Sequence, residues 1–215
     1  MAGPVAALDP GLLAVLIIAA FFLVWYFAGG GLNRRLAKRL ANEVRDSLIT
    51  WGGTSRVQPF GSTAFRMTTE GANPPFRDLS VVVTLEPREM PINWALAHAQ
   101  GRRDVAVLEA SLRQTPRIGF ELIDPTTRIG KRRARAKSSW SAVNLSGRDF
   151  LLSSKNERAA GELLRSLGAG VLDGIAALHV TAGSEPGLAA SLALEEGRVS
   201  PLLSGLRDFA QTMTA

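Results

Sequence analysis

The sequence predicts an α+β protein in which one N-terminal transmembrane helix is followed by a domain of mainly antiparallel sheet with helices packed on one face. Three observations carry this reading. Residues 11–32 contain no charged side chain; in a helix these roughly 22 residues reach about 33 Å, enough for a hydrocarbon core of about 30 Å. Downstream, apolar side chains recur at every second position in several short runs, as in half-buried strands. After Ser154 the period lengthens to that of amphipathic helices, interrupted by one further alternating stretch, and strands followed by helices in this order argue for an antiparallel sheet with helices on one side.

The order of elements divides the chain into a short extracytoplasmic N-terminus (1–10), a transmembrane helix (11–32), a juxtamembrane amphipathic helix (33–51) and a cytoplasmic α+β domain (52–215). Orientation follows from cationic asymmetry: Asp9 is the one charged side chain before the span, whereas Arg34, Arg35, Lys38 and Arg39 follow it directly, and positive residues stay inside. The aromatic cluster Phe21, Phe22, Trp25, Tyr26 and Phe27 fits an interfacial belt at that end. A cleaved signal peptide is the competing reading, with Ala28, Gly29 and Gly30 as the small-residue site. The missing basic n-region and the length of the apolar run argue against it. Gly29 to Gly31 are expected to act as a hinge, because glycines weaken a continuous helix. Beyond it Leu32, Leu36, Leu40, Val44, Leu48 and Ile49 recur at helical spacing.

In the domain, Phe65, Met67 and Thr69 form one alternating run and Leu79, Val81, Val83 and Leu85 a clearer one, an expected hairpin around the turn-rich 71–75. Residues 91–100 read as a short connector. A second hairpin is expected from Ala106, Leu108, Ala110 and Leu112 with Ile118, Phe120 and Leu122. Two short strands follow, around 140–145 and 150–152. Ser154 to Glu157 has a capping-box pattern, ahead of a helical face of Leu163, Leu164, Leu167, Val171, Leu172 and Ile175 that Gly168 and Gly170 are expected to break. A hairpin joins 178–181 to 188–194, and Ser200 with Pro201 opens a last helix whose face is Leu202, Leu203, Leu206, Phe209, Ala210 and Met213.

The formal charge of +6 is local: residues 33–137 hold 19 of the 25 cations against 10 acids. Its peak is Arg128, Lys131, Arg132, Arg133, Arg135 and Lys137. Like charges at that density repel and resist burial, so an exposed, mobile loop is expected there, open to solvent, anionic lipid or an acidic protein patch. Nucleic acid is disfavoured because no aromatic side chains interleave these cations. Zero cysteines exclude disulfides, thiolate metal sites and a cysteine nucleophile. His98 and His179 form no metal spacing, and Glu195-Glu196 reads as a solvated turn. Gly168 to Gly174 does not follow a strand as a phosphate loop must. The most unusual local texture is Asn93-Trp94 with Arg102, Arg103 and Asp104, read as a structural corner in which Arg102 or Arg103 pairs with Asp104 or Glu109.

From these observations the expected function is that of a single-pass membrane protein with a noncatalytic cytoplasmic interaction or accessory domain. Its expected partners are the lipid bilayer and either a membrane protein or anionic lipid. The contacts are expected from the two basic sets, and no cofactor, metal or catalytic residue is assigned. A membrane-tethered enzyme whose site assembles only in the fold, and a nucleic-acid binder through 128–137, are the alternatives.

Overall fold

The computed structural model describes residues 9–136, 139–195 and 197–214. Among them the chain forms six helices and nine strands: α1 Pro10–Ile49, β1 Thr54–Phe60, β2 Ala64–Glu70, β3 Phe76–Thr84, α2 Pro91–Ala99, β4 Val105–Leu112, β5 Phe120–Ile123, α3 Arg128–Ala136, β6 Ser141–Leu145, β7 Arg148–Ser154, α4 Glu157–Leu164, α5 Ala169–Gly174, β8 Ile175–Thr181, β9 Gly187–Ala193 and α6 Val199–Thr214.

The strands make one antiparallel sheet in the order β1-β2-β3-β4-β9-β8-β5-β7-β6. The hairpins β2–β3 and β8–β9 stand as the alternating runs predict, and the two short strands expected at 140–145 and 150–152 are β6 and β7, which pair with each other. The expected hairpin of β4 with β5 does not form. Instead β4 pairs with β3 and β9, and β5 with β7 and β8, so the β8–β9 hairpin is wedged between them. The segment 113–119 is therefore a crossover within the sheet rather than a tight turn. Strand β1 carries no burial pattern, since every one of its residues is exposed at the sheet edge.

One face of the sheet is the core. Side chains of Met67, Val81, Leu108, Leu122, Leu178 and Leu192 point from it into α1 and α6, together with Leu40, Val44, Leu48, Leu203 and Leu206. Each such fully buried aliphatic side chain contributes about 1.5–3 kcal/mol. Helices α4 and α5 join the same layer through Leu164 and Leu172. Helix α3 does not. Arg133 bonds Glu121, which alternates with the core-facing Phe120 and Leu122, so α3 covers part of the opposite face above Ile123 and Ala177. The helices thus occupy both faces, and most of the second face is left open.

Helix α1 is one unbroken rod of 40 residues. Asp9 caps its start, its carboxylate accepting from the Gly11 N–H at 2.8 Å. No hinge forms at Gly29 to Gly31. A glycine costs about 1 kcal/mol in a helix interior, but Gly29 is buried where a side chain could not fit: a Cβ there would collide with the Arg88 carbonyl. Contact with the domain holds the rod straight. Leu32 and Ile49, expected on the buried stripe, are instead exposed. The stripe runs through Gly29, Asn33, Leu40, Val44 and Leu48.

Two predicted caps also move. Asn156, not Ser154, caps α4 by accepting from the Ala159 N–H. Helix α6 starts at Val199, and the Ser200 N–H donates across to Glu43 Oε1.

Candidate functional site

The register of the sheet defines its two ends. Thr84, Val105, Ala193, Ile175 and Ile123 lie at one end, beside the loop 85–90 that meets α1 at Asn33. This is the junction end. Phe76, Leu112, Gly187, Thr181 and Phe120 mark the far end, where α1 finishes and the Trp51 ring stacks at 5.3 Å on Phe76.

At the junction end a polar cluster ties α1 to the domain. Asn33 is fully buried, and an amide without partners there would cost about 1–3 kcal/mol. It has partners on every side. Its Nδ2 donates to the Glu86 carbonyl at 2.9 Å and to Glu89 Oε2 at 3.0 Å, and its Oδ1 accepts from Arg88 at 3.1 Å. Arg88 also grips Asp104 with both guanidinium nitrogens, at 3.1 and 2.8 Å, a bidentate pair of the strong kind. Asp104 accepts in addition from the Glu86 N–H at 2.7 Å. Two turns earlier on α1, the Trp25 indole donates to the Arg88 carbonyl at 2.9 Å. Glu86 is itself buried, with Oε2 accepting from the Trp94 indole at 2.7 Å and lying 3.4 Å from His98 Nδ1. The rings of Trp25, Trp94 and His98 stack in sequence at 6.2 and 5.6 Å.

The aromatic and charged corner expected at Asn93 to Asp104 is therefore built, with one partner different. Asp104 pairs with Arg88, while Arg103 turns to the carbonyls of His98 and Arg102. The connector 91–100 is the helix α2. What sequence reasoning missed is the α1 half of the cluster. The signal was present: Trp25, Gly29 and Asn33, four residues apart, extend the stripe of Leu40, Val44 and Leu48 backwards across a step of seven, two helical turns.

The basic residues singled out in the sequence occupy two elements: α1 just past Asn33, and α3, which starts at the junction end and runs back over the sheet to Glu121. Arg34, Arg35 and Lys38 are exposed on α1, and Arg39 beside them is exposed but engaged. The segment beginning at Arg128 is not a loop but helix α3, opened by a side-chain cap: Asp124 Oδ1 accepts from the Thr126 N–H at 2.8 Å, and Thr127 Oγ1 from the Gly130 N–H at 3.0 Å. Arg133 is spent on Glu121 at 3.0 Å, leaving Arg128, Lys131, Arg132 and Arg135 on the exposed side. Lys137 lies outside the described residues, as does Glu196 of the expected acidic turn. The two basic sets face outward from opposite faces of the sheet. The base of α3 is pinned by buried Asp124, whose carboxylate meets Arg148 at 2.6 Å; Arg148 continues to Asp173 at 3.0 Å. Nearby, the hydrogen bond from Arg198 to Glu195 raises the guanidinium pKa above its ordinary value.

Gly130 lets α3 seat, because a Cβ there would strike the Asp124 carbonyl. Gly130→Ala is expected to destabilise the chain by about 1–3 kcal/mol through overpacking, although alanine is the better helix former. Denaturant titration checks this; a gain in stability would mean that α3 packs loosely.

The open face carries a shallow depression with Thr68, Glu70, Ser80, Glu109, His179 and Thr181 on its rim. Acids and hydroxyls dominate it. Among the described residues no group of His, Cys, Asp and Glu is placed to hold a metal ion. No protein-family model matches the chain, and no curated protein matches it.

Proposed function

We propose that this is a single-pass membrane protein, N-terminus outside and domain in the cytoplasm, whose domain is a noncatalytic interaction module held at a fixed attitude to the bilayer. Helix α1 is long and apolar enough to cross a membrane, and none of its most apolar 18-residue window is buried by the rest of the chain. The observation that carries the reading is continuity: the same 40-residue helix that offers the span supplies Leu40, Val44 and Leu48 to the domain core. A flexible tether would let the domain sample all orientations. A rod clamped at Asn33 does not, and it turns the junction end, with the α1 cations and the start of α3, toward the headgroups. Its open sheet face is left free for a membrane-protein partner.

Topology is tested by protease treatment of intact cells, which should spare the domain until the membrane is permeabilised, and by alkaline carbonate, which should leave the chain in the pellet. Cleavage in intact cells or release into the supernatant overturns the reading.

The anionic-lipid contact makes a separate prediction. Each cation near an anionic surface contributes about 1 kcal/mol, so Lys131, Arg132 and Arg135 together are expected to slow opening of α3 by up to about a hundredfold. Amide exchange of α3 in the reconstituted full chain should be slower in vesicles containing phosphatidylglycerol than in pure phosphatidylcholine, and replacing the three by glutamine should erase the difference. Equal exchange in both lipids would assign the α3 cations to another partner or to solvent.

A further inference from the structure

Helix α2 has no Asp, Glu, Lys or Arg from Pro91 through Gln100, and it turns large apolar side chains outward. Ile92 is 62% exposed and Leu96 56%, and Met90 just before the helix is 51% exposed. A nine-residue helix that buries only Ala97 against the domain gains little from its fold partners. Its outward face is continuous with α1: Met90, Pro91 and Ile92 form one wall of an apolar groove whose other wall is Ala19, Phe22 and Tyr26. Arg102 and Arg103 follow immediately and are exposed.

The position of α2 along α1 decides what covers this face. Asp9 caps the helix with a carboxylate, and α2 docks at the level of Trp25, where the indole rings of Trp25 and Trp94 meet. Ala19, Phe22 and Tyr26 line the groove with Met90 and Ile92, so α2 stands beside the uncharged stretch 11–32 of α1 and not beyond it. That stretch is about 33 Å of helix against a hydrocarbon core of about 30 Å. Trp25 lies seven residues, about 10 Å, before its end at Leu32, which matches the depth of about 5–10 Å to which the apolar face of an interfacial helix sinks.

We propose that α2 is a second membrane-contacting element, lying in the interface of the leaflet nearest the domain with Met90, Ile92 and Leu96 among the acyl chains. It adds apolar surface beside the domain-side end of the span that α1 supplies. Trp25, Trp94 and Tyr26 then sit at the boundary where amphipathic rings concentrate, and Arg102 and Arg103 reach the phosphates. The groove between α1 and α2 is filled by an acyl chain. The proposal rests on the reading of α1 as a span.

The chain contains no cysteine, so single-cysteine variants of the full protein carry one nitroxide label each. Ile92→Cys and Leu96→Cys test α2, Val15→Cys tests the span, and Glu109→Cys on the open face reports water. All four are reconstituted in phosphatidylcholine–phosphatidylglycerol vesicles, and collisions with oxygen and with a water-soluble nickel chelate are compared by electron paramagnetic resonance. Labels at 92 and 96 are expected to favour oxygen, at a depth of about 5–10 Å below the phosphates. Nickel accessibility at 92 and 96 equal to that at 109, with 15 in lipid, overturns the proposal and leaves the span standing. Nickel accessibility at 15 removes the span and the proposal with it.

Discussion

Gly29→Ala is expected to lower the thermal midpoint of the full chain by about 4–12 °C, whereas the same change one residue on, Gly30→Ala, is expected to raise it by up to about 4 °C, on the scale of about 2–4 °C per kcal/mol for a chain of this size. The sign differs because the surroundings differ. A methyl on Gly29 meets the Arg88 carbonyl and the Glu89 backbone, which cannot rotate away, while nothing lies within 4 Å of a Cβ on Gly30. The clash costs about 1–3 kcal/mol, and part of the Asn33 and Trp25 hydrogen bonding is lost as the helix withdraws. At Gly30 alanine gains about 1 kcal/mol of helix propensity. Differential scanning fluorimetry in detergent checks both. A fall of similar size at the two positions would mean that the glycines serve as a flexible joint rather than as a contact surface.

Asp104→Ala is expected to cost about 3–5 kcal/mol, since it leaves a mostly buried guanidinium without its counter-charge. The Arg88 and Asp104 side chains are 21% and 12% exposed, and the lost carboxylate also serves the Glu86 N–H. Unfolding midpoints in guanidinium report the loss. Adding Arg88→Met to Asp104→Ala should recover part of it, because an apolar side chain does not need the counter-charge. A double variant no more stable than Asp104→Ala alone would show that the two charges are not energetically coupled.

Local patterns in the chain reveal the elements better than their neighbours. Runs of strict alternation, such as Leu79, Val81 and Val83, are visible because one face of the sheet is buried and the other is not. Strand β1 is invisible for the same reason: exposed on both faces, Thr54–Phe60 has no alternation to read. The misplaced partner of β4 has a different origin. Which strand lies beside Ala106 and Leu108 is decided by the β8–β9 hairpin about 70 residues later, and period-two patterns carry no information about sequence-distant pairing. The α3 cations read as a loop because like charges oppose a helix in isolation. The Asp124 and Thr127 cap and the Arg133–Glu121 pair supply what local propensity lacks. The junction cluster was half visible at Asn93 to Asp104. Its other half lies in a stretch whose apolar composition draws attention to lipid, so that one asparagine following the glycines reads as the end of a span rather than as a buried hydrogen-bonding centre.

The contact between α1 and α6 couples the first and last helices of the described chain, with Leu40, Val44 and Leu48 sharing a core with Leu203, Leu206 and Phe209. During synthesis the apolar stripe of α1 therefore emerges long before its cover does. At about 5–20 residues per second, the roughly 160 residues between Leu48 and Met213 take about 10–30 s to translate. Until then the nascent chain carries an aliphatic ridge covered on the sheet side only. A ribosome stalled before Val199 would release a product in which α1 has the sheet beside it but lacks α6, the kind of fragment that quality-control proteases remove.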